Sequence, residues 1–167
     1  MWTDLILLMV IGICVVTDLK KRMIYNKVIF PALLVAFGLH AALEGWSGLG
    51  QSLLGFTVGL CILLIPYLLG GMGAGDVKLL ALVGALKGTW FVLAASVYMA
   101  LLGALIAVAV VLFQRDFRQR IQFLLYVLIG IRYGLQIQWK EHFTSGTYPY
   151  GVAIAGGAAL CLFQKGW

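Results

Sequence analysis

The sequence predicts an all-α, polytopic membrane protein with about six transmembrane helices and an additional interfacial or re-entrant helix. Three observations predict it. Of the 167 residues, 63% are hydrophobic and only 11% charged, with a mean hydropathy of +1.03, far from the composition of a water-soluble domain. The apolar residues come in runs long enough to cross a hydrocarbon core, and short turn-forming stretches separate the runs. The basic residues gather at the ends of those runs, where topology signals belong.

The first span is Trp2 to Thr17. Positive charges follow it, no basic segment precedes it and no small-residue cleavage site closes it, so it reads as a retained helix and not as a secretory signal. The next spans are Val28 to Leu43 and Leu49 to Leu69, parted by Glu44-Gly45-Trp46-Ser47-Gly48. After the glycine cluster Gly70 to Gly75 come Val77 to Leu86, the turn Lys87-Gly88-Thr89, and Trp90 to Phe113. The last span is Tyr150 to Phe163. All are expected to be helical, since an open strand edge cannot satisfy its backbone in lipid.

Ile121 to Gln138 is long enough to span, but Gln122, Arg132, Gln136 and Gln138 make a full crossing costly. It is expected to lie in the plane of the cytoplasmic interface or to be re-entrant, with Arg132 reaching headgroups. No repeat or soluble module interrupts the chain, which reads as a single membrane-embedded domain over 1–167.

Charge sets the orientation. The loop DLKKRMIYNK, Asp18 to Lys27, holds Lys20, Lys21, Arg22 and Lys27, and FQRDFRQR holds Arg115, Arg118 and Arg120. Counting crossings from the first loop puts both on the cytoplasmic side. The glycine cluster falls on that side too, with both termini outside. A net charge of +6 distributed in this way argues against nucleic acid as a partner, because no basic platform holds a strand. Cys14, Cys61 and Cys161 lie inside apolar runs without neighbouring ligands, so they are small buried hydrophobes, and no metal site is expected.

The six acidic residues sort by position. Asp4, Glu44, Asp116 and Glu141 fall at outer helix ends, in loops or among basic residues, and read as surface or charge-paired groups. His40 and His142 fall away from the glycine cluster and read as bystanders. Asp18 and Asp76 differ. Asp18 ends the first helix and Asp76 opens the fourth, and two hairpins bring both to one membrane face. Two carboxylates in a poorly hydrated place share a proton, which is the state a water-activating acid pair needs. The plainer readings are a helix cap for Asp76 and a counter-charge to Lys21 or Arg22 for Asp18. Gly73 and Gly75 are expected to leave room beside Asp76 for an extended substrate strand. Lys78 either binds substrate or snorkels.

Together, DLKKRMIYN (Asp18 to Asn26), GMGAGDVKLL (Gly71 to Leu80) and TYPYGVAIAGGAAL (Thr147 to Leu160) resemble the type IV prepilin peptidase family of GxGD aspartyl membrane proteases. The short form looks most like the peptidases of tight-adherence (Flp) pilus systems. The resemblance implies Asp18 and Asp76 as the catalytic aspartates, Gly73 and Gly75 in the GxGD motif, and Lys78 at the basic position after it. It implies removal of prepilin leader peptides at the cytoplasmic face of the inner membrane, with no cofactor and with a membrane-anchored prepilin as partner. The chain departs from the family at Tyr25, where a proline is common. Larger members carry a cysteine-bearing cytoplasmic loop after the first helix and also N-methylate the pilin. The short loop here predicts a peptidase without methyltransferase activity. The competing expectations are a presenilin-like intramembrane protease, and a small transporter or proton channel in which paired carboxylates bind ions. The transporter reading requires acids nearer the bilayer middle.

Overall fold

The computed structural model describes residues 2–21, 23–113 and 150–164. Every element among them is helical: α1 (Trp2–Lys21), α2 (Asn26–Leu68), α3 (Ala74–Lys87), α4 (Thr89–Phe113) and α5 (Tyr150–Gln164). Three of these, α1, α2 and α4, are long and apolar enough to cross a membrane. The chain divides into two compact units, one of 1–103 with 149–167 and one of 104–148. The second unit contributes only the closing turns of α4 to the described residues. The segment Ile121 to Gln138 and the loop FQRDFRQR lie outside them.

The 43-residue helix α2 contains both the second and third predicted spans. Its path breaks at Gly45, whose φ of 65° and ψ of −150° no helix contains, a conformation that glycine adopts without a steric penalty. The rings of Phe37 and Phe56 meet edge to face with centroids 5.8 Å apart, although a straight helix would hold them about 28 Å apart. The two limbs, 26–44 and 46–68, therefore double back on each other. The turn falls within the predicted stretch Glu44 to Gly48.

The second limb of α2 ends in a Schellman cap. Gly70 has a φ of +75°, its N–H donates to the Tyr67 carbonyl at 2.9 Å, and the Gly71 N–H donates to Pro66 O at 3.0 Å. This is the glycine-dependent closure that satisfies the last carbonyls of a helix. Within the glycine cluster the positive φ falls on Gly70. Gly73, with φ −80° and ψ 148°, has a backbone open to any residue.

Helix α3 is the centre of the first unit, with Val77 and every residue from Leu79 to Leu86 buried. It packs most extensively on α2, because the small positions Gly55 and Gly59 let backbones approach. A Cβ added at Gly55 would meet the Gly84 carbonyl, and one at Gly59 would lie 2.6 Å from Leu80 O. Contact between helices in lipid rests on such close packing, since burying apolar surface from apolar lipid gains little. Leu5, Met9, Leu54, Trp90 and Leu101 accordingly remain on the outside.

Helix α1 buries Leu7, Val10, Ile11, Cys14 and Asp18, a stripe at helical spacing that presents one face to the bundle. It runs on to Lys21, beyond the predicted end at Thr17, so Asp18 belongs to its last turns and not to the loop. Lys20 and Lys21 in the closing turn suit the negative end of the helix dipole and favour the extension. Helix α5 is lined with Gly151, Ala153, Ala155, Gly157 and Ala158, and it packs against α1 and α3.

Candidate functional site

Asp18 and Asp76 are at the same end of the helical bundle. Their side chains are held by different elements, near the C-terminal end of α1 and in the first turn of α3, and both residues are buried, with relative exposures of 7% and 9%. Asp18 takes the last position of the α1 stripe, where the preceding buried residues are apolar. Its burial thus follows from the helical period.

Asp76 is placed by its own backbone. Gly73 precedes α3 with extended dihedrals, the Asp76 N–H donates to Gly73 O at 3.1 Å, and the Gly73 N–H donates to Asp76 Oδ2 at 3.2 Å. This is half of a capping box. Gly73 has no side chain with which to form the reciprocal half. Burial pushes the Asp76 carboxyl up from its ordinary 3.8 to about 6. The Gly73 N–H opposes that rise, and the negative charge of Asp18 adds to it. The two acids therefore feel each other, and Asp76 holds its proton to a higher pH than a solvated aspartate.

Gly75 is close-packed. A Cβ added there would lie 2.9 Å from Ile24 Cβ, so the face expected to be open for a substrate is covered by the connector between α1 and α2. Lys78 lies beyond, its Nζ donating to Asn26 Oδ1 at 3.0 Å and standing 5.6 Å from the centre of the Phe30 ring. The ammonium thus braces α3 against α2. No group of three or more His, Cys, Asp or Glu side chains able to hold a metal occurs among the described residues.

Two residues at this end were not singled out from sequence. Ile24 is one. Gly151 is the other: a Cβ there would lie 2.6 Å from Asp18 Oδ2. The available signal was a glycine in the first turn of a helix, a position that normally gains from any side chain.

The opposite end of the bundle holds a second polar group. Lys87 Nζ pairs with Asp4 Oδ1 at 2.6 Å, His40 Nδ1 lies 3.4 Å from Glu44 Oε2, and Ser52 Oγ donates to Ala85 O at 2.6 Å. A cavity of about 340 Å³ opens between Trp2, His40, Glu44, Gln51 and Lys87. Asp4 thus pairs with Lys87 and His40 with Glu44, both at the end of α3 away from Asp76.

Comparison with known proteins bears on the same region. The type IV leader peptidase family matches residues 5–113, which include both acids. A prepilin leader peptidase/N-methyltransferase of Bacillus subtilis (strain 168) is 36% identical over 103 residues, covering 60% of this chain. The match spans 41% of that protein's length. No solved structure gives a significant match.

Proposed function

Since the chain belongs to the type IV leader peptidase family, we propose that it is a membrane aspartyl endopeptidase in which Asp18 and Asp76 activate water to remove the leader of a type IV or Flp-type prepilin. The observation that carries the reading is the convergence of two buried carboxylates, from α1 and α3, at one end of the bundle. One acid ionised and one protonated form a complete acid–base pair. The ionised carboxylate takes a proton from water as its oxygen attacks the scissile carbonyl, and the protonated carboxyl donates to the carbonyl oxygen. Collapse of the tetrahedral intermediate breaks the C–N bond: the leaving amine takes the proton held by the base, and a hydroxyl of the intermediate returns its proton to the other carboxylate as the new acid forms, which restores the pair.

The membrane supplies much of the positioning. A prepilin whose apolar helix lies in the bilayer is already restricted in depth and orientation, so its leader junction needs only lateral approach to reach the acids. The basic residues of the first loop favour a cytoplasmic location for this end, in the inner membrane. The connector between α1 and α2 is short, with Met23 to Tyr25 as its described part. It leaves no room for a cysteine-bearing insert between these helices, which supports peptidase activity without N-methylation of the pilin. The acids stand at helix ends, Asp18 in the last turns of α1 and Asp76 in the first turn of α3, and not at mid-helix, which supports hydrolysis over ion transport.

Co-expression with a candidate prepilin tests the reading. Wild type is expected to release the leader, and Asp18→Asn and Asp76→Asn, each still inserted in the membrane, are expected to leave the precursor uncut. Normal processing by either variant sinks the dyad. Transfer of a methyl group from S-adenosylmethionine to the pilin by the purified protein sinks the peptidase-only reading.

A further inference from the structure

We infer that Gly151 is a positioning residue for Asp18: its missing side chain lets the first turn of α5 seat directly against the Asp18 carboxylate. The inference rests on the proposed role of Asp18 and adds a third helix to the site. A Cβ at position 151 would lie 2.6 Å from Oδ2, 3.0 Å from Cγ and 3.3 Å from Cβ of Asp18. All three close atoms belong to one side chain, and both residues are buried. Any larger residue at 151 must push the carboxylate or the helix away, because contacts below 3.0 Å between such atoms are repulsive.

The two acids meet helix starts in different ways. Gly151 is the second residue of α5, so Asp18, near the close of α1, stands against the start of another helix, whereas Asp76 stands in the first turn of its own helix, α3, and accepts the Gly73 N–H. The depth at which α5 seats, set by the bare backbone of Gly151, therefore decides where the Asp18 carboxylate sits.

The contact also accounts for a glycine where helix propensity argues against one. Exchanging an exposed helical glycine for alanine gains about 1 kcal/mol, so Gly151→Ala adds a favourable local preference and an unfavourable contact with one catalytic side chain. Gly12, with nothing within 4 Å of an added Cβ, is the matched control on α1.

Two measurements test the inference. In a chain whose Cys14, Cys61 and Cys161 are serine, the pair Asp18→Cys and Gly151→Cys is expected to form a disulfide under mild oxidation in membranes. The 3.3 Å separation is just below the usual Cβ–Cβ range of about 3.5–4.5 Å. Accessible thiols that fail to join overturn the contact, whether or not the protein is active. With purified enzyme and a leader-junction peptide, Gly151→Ala is expected to lower kcat at least about tenfold with KM within about twofold of wild type, while Gly12→Ala changes neither. A normal kcat in Gly151→Ala beside an inactive Asp18→Asn overturns the positioning role alone. Cleavage by Asp18→Asn overturns the dyad and the positioning role together.

Discussion

Lys78 Nζ donates a 3.0 Å hydrogen bond to Asn26 Oδ1, joining the helix that carries Asp76 to the helix that follows Asp18 in the chain. Between these anchors the connector lays Ile24 over Gly75. The start of α3 is therefore braced on two sides, and the separation of the acids depends on that bracing. The bond is exposed, so its contribution to stability is small, about 0.5–1 kcal/mol. Asn26→Ala and Lys78→Met are each expected to slow prepilin processing by about threefold to tenfold, while the melting temperature in detergent hardly changes. The double variant should be no slower than the worse single variant, because both remove the same tie. Fully additive losses in a processing time course would mean that each residue acts alone.

Ile24 and Gly75 make a sharper case. An alanine at position 75 brings its Cβ to 2.9 Å from Ile24 Cβ, one residue away from Asp76. Gly75→Ala is expected to reduce processing at least about tenfold, which corresponds to about 1.4 kcal/mol in the barrier. Adding Ile24→Ala leaves the position-24 Cβ in place but removes its outer atoms, giving the connector freedom to shift. Partial recovery is therefore the expected result. Ile24→Gly removes the position-24 Cβ as well, and a Gly75→Ala/Ile24→Gly variant as impaired as Gly75→Ala would show that the backbone at 75, and not the contact with Ile24, requires glycine.

The helical design was legible in the sequence because it depends on local patterns. Apolar runs, the Glu44 to Gly48 turn and the glycine cluster each mark their own position, and the loop charges place Asp18 and Asp76 at one end. What was not legible depends on pairs of distant residues. Asp4 read as an outer acid, but its partner Lys87 lies 83 positions away. His40 read as a bystander, and its Nε2 lies 3.4 Å from Leu86 O. Gly73 and Gly75 read as leaving room beside Asp76 for a substrate strand, whereas a Cβ at Gly75 would meet Ile24. Gly151 gave no sign of its relation to Asp18, since that depends on how α5 packs against α1.

The α2–α3 contact sets the framework on which the acids stand. A methyl at Gly55 points at the Gly84 carbonyl, and one at Gly84 points at the Gly55 carbonyl. Neither obstacle can rotate away, because both belong to helix backbone. Gly55→Ala and Gly84→Ala are each expected to destabilise the protein by about 1–3 kcal/mol, in the range of overpacked interiors. Thermal unfolding in detergent would register this as a lower midpoint. Gly50→Ala, on the same limb with nothing within 4 Å, should leave the midpoint unchanged or raise it slightly. Equal midpoints for Gly50→Ala and Gly55→Ala would remove the close-packing account of this pair.

Asp76 links stability to pH in a direction opposite to that of most aspartates. Its folded value of about 6 lies above the ordinary 3.8, so between these two the folded protein binds more protons than the unfolded chain. Its contribution therefore favours folding below pH 4 and is lost as pH rises through 6. Asp76→Asn keeps a neutral side chain at every pH. The variant is expected to be more stable than wild type at pH 8 by about 1–2 kcal/mol, after allowing for partial exposure of the group, and the difference should shrink as pH falls toward 4. The same titration governs catalysis if Asp76 is the proton donor, so cleavage by wild type is expected to decline as pH rises above about 6. Unfolding midpoints of wild type and Asp76→Asn that stay parallel from pH 4 to pH 8 would show that Asp76 titrates as a solvated acid. The stabilised, inactive variant is the expected counterpart of a buried charge retained for chemistry at a cost to the fold.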